Sequence, residues 1–141
     1  MPYKFVEGLT RADVAFEVKG RNINKFFEDS AMALFDIMAN PKKVGKKIKK
    51  TFNITKENLE DLMYAFLDEI IYLKDKDALV FNSCKISINE TEKLRLKAAL
   101  FGDKINHEKQ ELRVDPKAVT MHKFEAKKVK GAYFARVVID I

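Results

Sequence analysis

Two stretches of this chain repeat apolar residues at helical spacing while most of the rest alternates, and that change of period limits the fold most. Leu59, Leu62, Met63, Phe66, Leu67, Ile70, Ile71 and Leu73 fall three and four apart or side by side, which lines them along one broad helix face. Burying each such side chain stabilises by on the order of 1.5–3 kcal/mol, so this helix belongs at the centre of the core. Thr55 is its expected cap and about Lys74 its end. A second stripe, Phe27, Ala31, Leu34, Phe35 and Met38, predicts a helix capped by Asn22 and running to about Ala39, where Asn40-Pro41 stops it.

The remaining segments read as strands. Ala12, Val14, Phe16 and Val18 alternate with Asp13, Ala15 and Glu17, a period of two with one buried face, and Gly20 ends the run. A strand is expected within Val44 to Asn53. Leu79 to Ile88 and Leu94 to Phe101 predict a hairpin turning at Asn89 to Lys93, and Lys117 to Lys127 with Tyr133 to Ile141 predict another around Lys130-Gly131. Gly102 to Glu111 is a polar connection holding His107. These elements predict an α+β fold, a single domain over residues 1–141 with two helices packed on one face of a mostly antiparallel sheet.

Hydrophobic residues make up 47% of the chain and charged residues 34%, a balance that excludes disorder. The lone cysteine, Cys84, cannot form an intrachain disulfide and suits a reducing cytoplasm. No apolar signal core opens the chain, and no run approaches the roughly 18 apolar residues of a membrane span. The net charge of +6 is concentrated at Lys42, Lys43, Lys46, Lys47, Lys49 and Lys50 and again at Lys127, Lys128 and Lys130. Such stretches attract polyanions by counterion release, which makes a free-standing basic RNA-binding module one reading of the chain. No aromatic residue is interleaved with Lys42 to Lys50 to stack on bases.

Enzyme motifs are absent: the chain has no Gly-x-Gly-x-x-Gly, no P-loop, no serine elbow and no zinc-spaced His/Cys cluster. A small hydrolase is disfavoured because no general base is legible. Cys84 with a histidine is a conceivable dyad, but a strand cysteine more often packs as a small hydrophobe. His122 shares a strand face with Thr120 and Phe124, which fits a surface residue as well as a ligand.

The C-terminal run is unusual, because Val137-Val138-Ile139 is buried-strand sequence followed at once by Asp140 and Ile141. Chain ends ordinarily fray, whereas these residues should be held. If the first and last strands are neighbours, Asp13, Asp140 and Ile141 (through its carbonyl or terminal carboxylate) make an all-oxygen site suited to a hard cation. The plain alternative is two separately solvated aspartates.

The whole chain resembles the archease family. The likeness is carried by Ala12-Asp13-Val14-Ala15-Phe16, by Ala33 to Met38, by Glu60 to Glu69, by Leu94 to Ala98, by Lys117-Ala118-Val119-Thr120 with His122, and by Arg136 to Ile141. The resemblance implies a divalent-metal site at Asp13, Asp140 and Ile141, with calcium favoured over magnesium or manganese. It implies activation roles for Lys117 and His122 and no catalysis by the chain itself. It further implies a cytoplasmic accessory protein, chaperone-like, for the RtcB-type RNA ligase of tRNA splicing. That role promotes attachment of GMP to the ligase's histidine and multiple turnover, with at most indirect contact with tRNA. One departure stands out: Thr10-Arg11-Ala12-Asp13 occupies the place where the family usually has His-Thr-Ala-Asp.

Overall fold

The computed structural model describes residues 2–6 and 13–141, so Thr10, Arg11 and Ala12 lie outside it. In chain order the elements are β1 (Tyr3–Val6), β2 (Asp13–Gly20), α1 (Ile23–Met38), a short 3-10 turn (Pro41–Lys43), β3 (Ile48–Lys56), α2 (Leu59–Asp77), β4 (Leu79–Asn89), β5 (Leu94–Lys104), β6 (Ala118–Val129) and β7 (Ala132–Asp140). The fold is α+β, as the alternating and helical periods predict. The strands, however, form two antiparallel sheets rather than one, ordered β1-β2-β7-β6 and β3-β5-β4. Alternation tells which side chains share a face but not which strands pair.

Both helices bridge the sheets. α1 packs on β2 and β4, and α2 on β3 and β6. Edge-on rings join them: Phe27 meets Phe66 at 5.5 Å between centroids, and Tyr64 meets Phe124 at 5.7 Å. Such pairs add to area burial by about 0.5–1.5 kcal/mol. One contiguous core holds Phe16, Phe35, Phe66, Phe81 and Val137, all almost wholly buried.

The caps explain two boundaries. Asn22 accepts the Lys25 N–H at 3.0 Å and opens α1 as expected. Thr55 does not cap α2, because β3 runs through it. Asn58 does so instead, accepting the Asp61 N–H at 2.8 Å while its amide donates to the Asp61 carboxylate at 3.1 Å. Glu60 and Asp61 in the first turn and Lys74 and Lys76 in the last complement the helix dipole. The helix passes Lys74, the expected end, and stops at Asp77 with Ala78 in the left-handed region.

β5 passes Gly102, which the sequence assigns to a connection. A Cβ at Gly102 would come within 2.1 Å of the Val80 carbonyl oxygen, so only glycine lets β5 and β4 approach there. The β6–β7 hairpin turns where expected, with Lys130 (φ 51°) and Gly131 (φ 80°) both left-handed, the requirement of a two-residue type I′ turn. The lysines of residues 42–50 do not share one surface. Lys43 pairs with Glu111 at 3.3 Å, Lys50 with Asp77 at 3.0 Å, and Lys49 lies on the outer side of β3. Among the described residues no helix is long and apolar enough to cross a membrane.

Candidate metal centre

β2 and β7 are neighbours, and their register sets Asp13 directly opposite Asp140. Residues directly opposite in an antiparallel pair project from the same face, so two carboxylates share one position of the ladder. Like charges so placed destabilise a sheet. In β2 and β7, Phe16, Val18, Val137 and Ile139 face the core. Asp13 and Asp140 therefore lie on the outer face, where both are half-buried. Beside them on that face Ala15 and Val138 are buried to 4% and 0% exposure, so the acid pair borders a dry patch. Low polarity there strengthens both the repulsion between the carboxylates and their attraction for a cation.

Neighbouring groups are held by contacts that can be traced. Ile141, next after Asp140, packs its side chain on the core and fixes the main chain beside the pair. On the other flank the Lys117 N–H donates to the Asp140 carbonyl at 2.7 Å, and Ala118 stands opposite Asp140 in β6. The segment leading into Lys117 is tied down by Lys74, which is 5% exposed. Its ammonium donates to the Pro116 carbonyl at 2.7 Å and to Asp115, and pairs with Asp75 at 2.8 Å. Asp13, Asp140, Ile141 and the exposed Lys117 thus gather at one end of the four-stranded sheet.

His122 is not delivered to the same place by a regular strand. The β6–β7 register shifts between Thr120 and Glu125, and Lys123 takes φ 55°. A bulge of this kind reverses the alternation: Val119 faces inward before it, Phe124 and Ala126 after it, and His122 is exposed within it. The expected shared environment of Thr120, His122 and Phe124 therefore does not hold. Phe124 joins the core, while Thr120 lies on the outer face with Asp140, one residue pair along.

Thr120 is a residue that sequence reasoning left out of the site. Its Oγ1 is buried and has no hydrogen-bond partner among the described residues. An orphaned hydroxyl costs about 1–3 kcal/mol unless something satisfies it. The signal was available in its two-residue spacing from Ala118, but only once Ala118 is known to face Asp140.

A hard cation fits this donor chemistry. Asp13 and Asp140 would supply carboxylate oxygens and Ile141 a main-chain oxygen, with the Thr120 hydroxyl on the same face one cross-strand pair along. Among the described residues no three His, Cys, Asp or Glu side chains gather as a metal cluster, so the acid pair would rely on main-chain and water oxygens to complete a shell. Among the described residues no histidine is among the groups that act on the Cys84 thiol, so the Cys–His dyad finds no support. Burial, with Glu28 and Asp29 adding to it, pushes the Cys84 thiol up to about 12, which leaves no thiolate at neutral pH. A cleft of about 510 Å³ lies behind the Lys74 strap, lined by Met38, His107, Leu112 and Arg113 among others, and contains none of Asp13, Asp140, Lys117 or His122.

The sequence profile of the Archease protein family (MTH1598/TM1083) matches residues 3–141. The chain belongs to the archease family. Archeases of Pyrococcus abyssi and Archaeoglobus fulgidus are 37% and 31% identical to it, over 92% of this chain and 93% of the first and over the full length of both for the second. The solution structure of a Methanobacterium thermoautotrophicum protein superposes with a TM-score of 0.81 at 27% identity, covering 99% of each chain. The crystal structure of a Thermotoga maritima archease, described as a possible chaperone, shares this fold with a TM-score of 0.66 at 18% identity, over 96% of this chain and 97% of that one. None of these relatives bears the name of an enzyme.

Proposed function

We propose that this archease is an accessory activator of the RtcB-type RNA ligase, promoting its guanylylation and turnover without catalysing a reaction itself. The Asp13–Asp140 end of the β1-β2-β7-β6 sheet is its working surface. The observation that carries the reading is the direct opposition of Asp13 and Asp140 with Lys117 hydrogen-bonded to Asp140. A strand pair that needed only stability would not set two acids side by side.

Asp13, Asp140 and Ile141 would hold a divalent cation, calcium ahead of magnesium or manganese, and a cation so placed supplies positive charge beside phosphoryl oxygens. The chain's own residues do the positioning. Ile141 anchors the strand end, Lys74 fixes Asp115 and Pro116, and the Lys117 N–H locks onto Asp140. Exposed Lys117 forms no ion pair among the described residues, and its ammonium would meet an anionic group of the ligase or its nucleotide. Exposed His122 lies further along β6 and offers a contact to the ligase surface.

Titrating the chain into ligase and GTP tests this. Guanylylated ligase should rise several-fold at far less than one archease per ligase, because an activator that departs after each event acts repeatedly. Stimulation that saturates only at equimolar ratio would mark a structural subunit and overturn the activator reading.

A further inference from the structure

The outer face of the β3-β5-β4 sheet carries a second chemistry, unconnected to the acid pair. Register places four ranks of side chains across it: Lys49, Phe101 and Ser83; Thr51, Ala99 and Lys85; Asn53, Lys97 and Ser87; Thr55, Arg95 and Asn89. Four of these twelve positions are cationic and none is acidic. The others are small, hydroxyl or amide side chains apart from Phe101.

Among the described residues no carboxylate pairs with Lys49, Lys85, Arg95 or Lys97. Arg95 donates to the Thr91 carbonyl at 3.0 Å, and Lys49 sits 6.0 Å from the centre of the Phe101 ring. The outer face of the other sheet behaves oppositely. There Lys4, Arg136 and Lys127 are each matched by Glu17 or Glu125.

We propose that the outer face of β3-β5-β4 is a docking surface for a single-stranded nucleic acid, gripped through its phosphates. Charge complementarity picks the occupant. Unpaired cations gain by releasing counterions from a phosphate chain. Short Thr, Ser and Asn side chains between the cations let a backbone approach and offer hydrogen bonds to phosphate and sugar. With strands about 4.8 Å apart and rising about 3.3 Å per residue, the platform is about 10 Å wide and 20 Å long, the track of one strand. A lipid surface would want apolar side chains to insert, and an acidic protein a central apolar anchor. This face offers neither, since its one ring, Phe101, is half-buried. Lysines read no bases, so binding is independent of sequence.

Fluorescence anisotropy with a labelled 20-residue oligouridine tests it. The wild type should bind at low salt with a log–log salt slope near −3, about 0.7 for each of four phosphates. Lys85→Ser with Lys97→Ser should lower that slope by about 1.4 and weaken binding roughly tenfold. Lys127→Ser with Lys128→Ser removes the same charge from the other sheet and should change little. Acetylation of the wild type should be blocked by the oligonucleotide at Lys85 and Lys97, a readout that needs no variant to fold. Equal weakening by both double variants, unprotected Lys85 and Lys97, or capture by phosphatidylserine vesicles without oligouridine binding would overturn the proposal. Asp140→Ala should bind oligouridine as the wild type does, so the ligase reading and this one can fail separately.

Discussion

Two rows of the same sheet face treat charge in opposite ways. One row crosses all four strands of β1-β2-β7-β6 as Lys4, Glu17, Arg136 and Glu125, each directly opposite the next and alternating in sign. Its distances are 3.6 Å from Lys4 to Glu17, 3.1 Å from Arg136 to Glu17 and 3.7 Å from Arg136 to Glu125. Four residues along the same two central strands, the other row sets Asp13 against Asp140. The first row is what a sheet does when only its own stability matters, because opposed charges of unlike sign contribute about 0.2–1 kcal/mol per pair. The second sets like charges opposite one another beside a dry patch of Ala15 and Val138. A local rule broken next to one that is kept, on the same strands, is why the acid pair is proposed as the working surface.

The contrast can be broken from either side. Arg136→Glu would turn the paired row into three adjacent acids, and a loss of about 2 kcal/mol is expected from two attractive pairs becoming repulsive. Chemical denaturation reads it directly, and an unchanged midpoint would mean the row is decorative. Asp140→Lys does the reverse, converting the acid pair into an ion pair. The metal-free protein should gain up to about 1 kcal/mol while losing its stimulation of the ligase, whereas a variant that is both less stable and fully active would break the comparison.

The smallest effect is a pH effect within the paired row. The hydrogen bond from Lys127, which lies 2.6 Å from Glu125, together with the charges of Lys127 and Arg136 holds the Glu125 carboxyl below its ordinary 4.5. A carboxylate lowered in the folded state adds stability that is present above its unfolded value and fades as pH falls through the lower folded one. That contribution should therefore begin to fade as pH falls to 4.5 and be lost through the lower folded value, and Glu125 is too exposed for it to be large. Lys127→Ala should move the Glu125 midpoint up toward 4.5 in a carboxyl NMR titration. A midpoint that stays low would shift the credit to Arg136.

Much of this was legible in the residues. Helical stripes located α1 and α2, alternation located β2 and β7, and the apolar run into Asp140 and Ile141 singled out the acid pair before its geometry was known. What escaped was non-local. Tyr3 to Val6 are too few to show a period, so β1 became visible only through its pairing with β2. Thr55 and Asn58 are both good caps, and only the continued pairing of β3 with β5 through Lys56 decides for Asn58. The bulge that exposes His122 leaves no mark in composition. The cation-only face is assembled from Lys49, Lys85, Arg95 and Lys97, which are scattered along the chain and meet only through register. The conspicuous run from Lys42 to Lys50 is dispersed by the fold.

The central claim, that Asp13 and Asp140 form a cation site on which activation depends, is tested most directly by thermal melts with and without calcium, run beside ligase guanylylation. At a hundredfold excess over its dissociation constant, calcium should stabilise the wild type by about 2.7 kcal/mol. Asp13→Ala and Asp140→Ala should lose nearly all of that gain, keep or raise their metal-free stability, and no longer stimulate the ligase. Variants that stimulate the ligase normally, or that calcium stabilises as much as the wild type, would contradict it.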